Sequence, residues 1–241
     1  MQFYFKSLAV LVSTVGMAAM TGCGGGKEAS TESPPTAIGM SGSEGGGSQS
    51  GTTQVPTQSP DNPSKDSASD PLHPVVLIET SLGDIQVRLD AEKAPLTVDN
   101  FLAYADRGHY DQTIFHQVLK EYPQVVIGGA FTADLTEKKP QPPVRNEAHN
   151  RVENRRGTIA MARQSDAIDS ATCHFFFNLT DNQKVLDHKD RTLGGYGYCV
   201  FGEVIEGMNV VDKIGASETH DTRQFEQIPT EPVVINSIRR L

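Results

Sequence analysis

The chain reads as a mainly β protein, a closed antiparallel barrel capped by two helices, set behind a long polar N-terminal segment. Three observations carry that reading. Short apolar runs with strand character recur through the second half: IFHQV, VVIGG, GTIAMA, HFFFNL and YCVFGEV, each bounded by turn-rich residues. Two stretches only have helical spacing, and many short strands with two helices close most simply into a barrel. Residues 24–73 are Gly, Ser, Thr, Pro and Gln with scattered charges and almost no large apolar side chains, so they cannot bury enough surface to offset chain entropy.

In chain order, residues 1–22 carry Lys6 and then an apolar run from Leu8 to Met20, broken by Ser13, Thr14 and Gly16. This is a signal-peptide core, short for a membrane span. The tether, 23–73, has an expected rms reach of about 40 Å. The globular domain occupies 74–241. VVLIETSLGDIQVRL (residues 75–89) alternates as two strands hinged at Ser81–Asp84, with Ile85, Val87 and Leu89 on one face. Pro95 and Thr97 open a helix whose stripe is Val98, Phe101, Leu102 and Ala105, and Gly108 ends it. The five short runs follow. A second helix carries Met208, Val211 and Ile214, and PVVINSI (232–238) is the last strand.

The formal charge is −9, and the leader's one charge is Lys6, so the chain without it carries −10. That balance argues against a nucleic-acid surface. The seven histidines include no i, i+4 pair and no cysteine at metal spacing, so no metal site is expected. Gly128-Gly129 and Gly194-Gly195 lack the Lys-Ser/Thr that follows a phosphate loop. No cofactor is expected. Cys173 and Cys199 are either two buried thiols, the favoured reading, or a bridge.

Three segments carry a family resemblance: TIFHQVLKEYPQVVIGGAF (113–131), RRGTIAMARQSDAIDSATCHFFFNL (155–179) and LGGYGYCVFGEVIEGMNVVDKI (193–214). In matching order over 75–241 they resemble the cyclophilins, the peptidyl-prolyl isomerases, and in particular their bacterial branch. The resemblance implies a barrel of eight strands, an isomerase acting on Xaa-Pro segments of exported proteins, a monomer, and a groove on the barrel wall that seats proline. It places the proline-contacting aromatic on Phe176, the backbone-binding alanine on Ala162, the lid leucine on Leu186 and a groove tyrosine on Tyr198. Because Phe175, Phe176 and Phe177 alternate, at least one must belong to the core.

The chain departs from the family pattern at the catalytic triplet, which reads Phe115, His116, Gln117 where the family has Phe-His-Arg. Gln117 is thus the candidate catalytic residue, a neutral amide in place of a guanidinium. A two-residue insertion in KEYPQVVI puts Val125 where the family has methionine and Ile127 where it has glutamine, and leaves the pocket phenylalanine either replaced by Tyr122 or missing. His174 replaces another polar groove residue, Val185 stands where cyclosporin-sensitive members have tryptophan, and His116 is a packing histidine. Arg163, next to Ala162, is a candidate to swing in for the missing arginine. Two functions compete: an isomerase, favoured, and a catalytically weak module that binds proline peptides.

Met20-Thr21-Gly22-Cys23 resembles a bacterial lipobox, which implies lipidation of Cys23, a membrane anchor and a periplasm-facing envelope protein. Gly24 after the cysteine favours the outer membrane.

Overall fold

A computed structural model describes residues 70–241; the leader, Cys23 and the tether lie outside the described residues. The first two strands, β1 (Val75–Thr80) and β2 (Gly83–Leu89), form the expected hairpin, in which Ile85, Val87 and Leu89 all point into the core. Next come α1 (Pro95–Asp106), β3 (Thr113–Leu119), β4 (Val125–Thr132), β5 (Thr158–Met161) and β6 (Phe175–Asn178). The chain then runs through α2 (Gln183–Leu186), β7 (Val200–Glu206), α3 (Met208–Gly215), β8 (Thr219–His220), β9 (Ile228–Pro229) and β10 (Val233–Arg240). Eight strands close in the order β1-β10-β3-β4-β6-β5-β7-β2, every pair antiparallel.

Two helices were expected. The structure adds the four-residue α2, a 3-10 turn at Ala148–Asn150 and the two-residue strands β8 and β9. All are too short to repeat the pattern that would reveal them.

Inside the barrel, Phe115, Phe175, Phe177 and Phe201 are completely buried, and Phe101 from α1 meets Phe175 edge-on at 5.6 Å and Phe201 at 5.2 Å. Val210, Val211 and Ile214 of α3 join the same core. Gly128 and Gly129 serve this packing: a Cβ on Gly128 would sit 2.8 Å from the Phe115 ring, and one on Gly129, at φ +95, would sit 2.8 Å from the Cys173 carbonyl. The cap of α1 comes from far away in sequence. No side chain beside Ala94 caps it; instead the Glu147 carboxylate accepts the N–H groups of Leu96 (3.2 Å) and Thr97 (2.9 Å) and the Thr97 hydroxyl (2.7 Å).

A buried polar network holds the barrel wall between β4, β6 and α2. Asn154, Asn178 and Asn182 are fully buried. The Asn182 amide donates to the Asn178 Oδ1 (2.8 Å) and to the Gln124 carbonyl (3.0 Å), and its Oδ1 accepts the Gln124 N–H (3.3 Å). Asn178 donates to Asn154 (3.2 Å), which donates to Asp187 (2.9 Å) and to the Tyr198 carbonyl (3.3 Å). The network fixes the entry to β4, the start of α2 and the chain before β7. Cys173 and Cys199 are both buried free thiols, and burial pushes each up to about 12.

Asn182→Ala removes the partner of the Gln124 N–H and carbonyl and of the Asn178 Oδ1. It is expected to cost about 2–4 kcal/mol, read as a lower urea midpoint. Burial also holds His109 down to about 4 and His116 well below the ordinary 6.5. Both are neutral in the fold, whereas the unfolded chain takes up protons below about pH 6.5, so stability is present above that pH and drains away as pH falls toward 4. Urea unfolding at pH 7 and pH 5 is expected to show this loss, and His109→Gln to reduce it.

Candidate active site

Alternation along β6 divides the aromatic triplet. Phe175 and Phe177 point inward, and Phe176 points outward into a second apolar cluster with Leu119, Val125, Ile127, Ala160, Leu186, Tyr198 and Val200. Cross-strand partners share a face, so the register lays out the floor of this cluster as a row: Ile127 of β4 opposite Phe176, Phe176 opposite Ala160 of β5, Ala160 opposite Val200 of β7. Gln117 of β3 lies opposite Ile127 and extends the row.

A bulge makes this possible. Two-residue alternation alone would put Phe115 and Gln117 on the same face, yet Phe115 pairs with Gly128 and Gln117 with the adjacent Ile127, so His116 is the extra residue. The kink turns Phe115 into the core and Gln117 onto the outer row. Gln117 is only 3% exposed. Among the described residues its side-chain amide has no hydrogen-bond partner, and neither amide atom is sealed from solvent.

The remaining walls are pinned by backbone. The Leu186 N–H donates to the Asn182 carbonyl (3.0 Å), and the Leu186 carbonyl accepts the Tyr198 N–H (2.9 Å). The Tyr198 ring meets Phe176 edge-on at 5.8 Å. Ala162 lies at the rim, half-buried with Val152 and Val185, and its N–H donates to the His174 carbonyl (3.0 Å). The structure therefore brings Gln117, Val125, Ile127, Ala162, Phe176, Leu186 and Tyr198 together.

It does not bring two expected residues there. Tyr122 stands 45% exposed on the loop before β4, next to a cis Tyr122–Pro123 bond, and the outer cluster does not include it. The insertion forms its own turn, closed by the Gln124 amide on the Lys120 carbonyl (2.8 Å) and by the Lys120 N–H on the Gln227 side chain (3.1 Å). These bonds hold it apart from the floor. The His174 side chain packs instead against His116 (5.5 Å) and Phe131 (5.8 Å), with its Nε2 3.9 Å from Glu137. That contact, with the hydrogen bond from His174 as its main cause, holds Glu137 below its ordinary value. His116 is a buried packing residue, as expected.

Phe176, Val125, Ile127, Leu186 and Tyr198 are each no more than 3% exposed. Arg163 does not swing freely: its Nε, Nη1 and Nη2 donate to the carbonyls of Gly197 (2.9 Å), Gln164 (2.8 Å) and Leu193 (2.7 Å). Leu119, Ala160 and Val200 were not read from the sequence, since their place follows from register alone, and Val152 packs in from a loop.

No cluster of three or more metal-ligating side chains occurs among the described residues. A family model described as cyclophilin type peptidyl-prolyl cis-trans isomerase matches residues 75–240. Over 164 residues the chain is 46% identical to peptidyl-prolyl cis-trans isomerase A of Dickeya dadantii, covering 68% of this chain and 83% of that one. It is 43% identical to peptidyl-prolyl cis-trans isomerase B of Escherichia coli, covering 68% and 98%. Among solved structures, a Cryptosporidium parvum cyclophilin type isomerase crystallised in the presence of the dipeptide Ala-Pro shares the fold, with a TM-score of 0.56 at 24% identity over 69% of this chain and 98% of that one. With the barrel topology, the outward Phe176 floor and these matches in agreement, the chain belongs to the cyclophilin-type peptidyl-prolyl cis-trans isomerases.

Proposed function

We propose that this protein isomerises Xaa-Pro bonds of exported proteins at the cell envelope, with Gln117 in the place of the family's arginine. The observation that carries the reading is the Gln117 amide: nearly buried, without a hydrogen-bond partner among the described residues, and at the end of the row that contains Phe176. An amide with solvent access and no such partner is available to donate to a bound peptide.

The reaction needs no nucleophile. Trans is favoured by about 0.5–1 kcal/mol at an Xaa-Pro bond, but exchange takes tens to hundreds of seconds because twisting breaks amide resonance. A site accelerates exchange by gripping the proline ring in apolar surroundings and placing a donor where the twisted amide gains charge. Phe176, Leu186 and Val125 supply the grip, and the Gln117 N–H supplies a donor, weaker than a guanidinium because it is neutral. Ile127 supports the second reading, a proline-peptide binder with little turnover, since an apolar side chain stands where a polar contact to the peptide is expected.

The location rests on Cys23 and the leader. Acyl chains on that cysteine would hold the protein at the membrane, each buried methylene contributing about 0.8 kcal/mol, and the polar segment 24–73 would let the domain reach clients about 40 Å away.

NMR exchange on an Ala-Xaa-Pro-Phe peptide tests the activity. The full chain is expected to exceed the solvent rate, Gln117→Ala to lose about tenfold, and Gln117→Arg to gain on the order of 10². A full chain that binds the peptide without raising its exchange rate would make it a binder. For the location, Cys23→Ala is expected to move the protein from the membrane fraction to the soluble fraction.

A further inference from the structure

The site has lost the guanidinium of the catalytic strand but has another beside Tyr198. Arg163 follows Ala162 at the end of β5, and its Cζ lies 5.1 Å from the centroid of the Tyr198 ring. It is 9% exposed, and among the described residues no carboxylate lies within ion-pair distance of it. Its three bonds to the carbonyls of Gly197, Gln164 and Leu193 satisfy its donors without cancelling its charge. A buried cation with no counter-ion is expensive to maintain, and the group that receives its field most directly is the phenol beneath it. Tyr198 is 3% exposed, and its hydroxyl has no protein partner among the described residues.

We propose that Arg163 is the cationic group of this site and acts through Tyr198: fixed over the ring, it polarises the phenol so that the Tyr198 hydroxyl donates a hydrogen bond to the carbonyl of the Xaa-Pro segment. Tyr198 is then a second catalytic donor beside Gln117, and Arg163 a positioning residue. The assignment rests on the isomerase reading above. Fixing the guanidinium by three carbonyls and a π face removes the need for it to move, and the donor is delivered by a ring that already meets Phe176 edge-on. Burial raises the phenol above its ordinary value while the Arg163 charge opposes the rise, so the hydroxyl keeps its proton in the neutral range.

The test is the NMR exchange assay on the full chain, with kcat and KM separated, for Tyr198→Phe, Arg163→Met, Arg163→Lys and the Tyr198→Phe/Arg163→Met pair. Tyr198→Phe is expected to lower kcat about tenfold with KM changed less than about twofold. Arg163→Met is expected to lower kcat by a similar factor, and the pair by no more than Tyr198→Phe alone. If Arg163→Met does not fold, Arg163→Lys replaces it, with an expected loss of about threefold in kcat that vanishes in the Tyr198→Phe background. An equal loss from the arginine change in both backgrounds, or none in either, overturns the assignment while leaving the isomerase reading in place. A parent chain with no exchange activity overturns both.

Discussion

A strand in a closed barrel has two faces, and everything notable about this protein depends on that constraint. Successive side chains of β6 point in and out, so one sequence of three phenylalanines builds two different things: Phe175 and Phe177 fill the interior and Phe176 founds an apolar patch on the outside. Each hydrogen-bonded neighbour repeats the same choice. The outer row of Gln117, Ile127, Phe176, Ala160 and Val200 is the register of five strands seen from without. Alternation is broken at the bulge at His116, and there a polar side chain is turned from core to surface.

That outer patch is held from behind by polar chemistry. The three buried asparagines tie the approach to Val125, the helix bearing Leu186 and the carbonyl of Tyr198 into one set of hydrogen bonds. The floor of the site is therefore apolar and its frame polar, which couples its walls to one another. Val125, Ile127, Leu186 and Tyr198 share one apolar cluster with Phe176, and the Tyr198 ring meets Phe176 edge-on.

Much of this was legible in the sequence, and the remainder was hidden for identifiable reasons. The hairpin of β1 and β2 showed in its alternation, and α1 in its proline start and its stripe. Phe176, Leu186 and Tyr198 followed from the family resemblance and assemble as expected. Tyr122 and His174 went elsewhere because an insertion and a loop have no periodicity to follow; local hydrogen bonds at Lys120 and Gln124, and an aromatic pocket around His116, decided their places. The cap of α1 by Glu147 could not be read from residues 91–97 at all, since the partner lies fifty residues further on. Arg163 stood out in the sequence as a basic residue beside Ala162, but its neighbour Tyr198, 35 positions later, is set by the fold.

The order of strands around the barrel has a consequence for how such a molecule comes into being. β10, the last element of the chain, lies between β1 and β3, two of the earliest. Until Val233–Arg240 is available, those two strands each present an unpaired edge, and the sheet is an open ribbon with exposed backbone donors and acceptors. Closure of the barrel therefore waits on that one strand, which removes both edges at once by pairing with β1 on one side and β3 on the other.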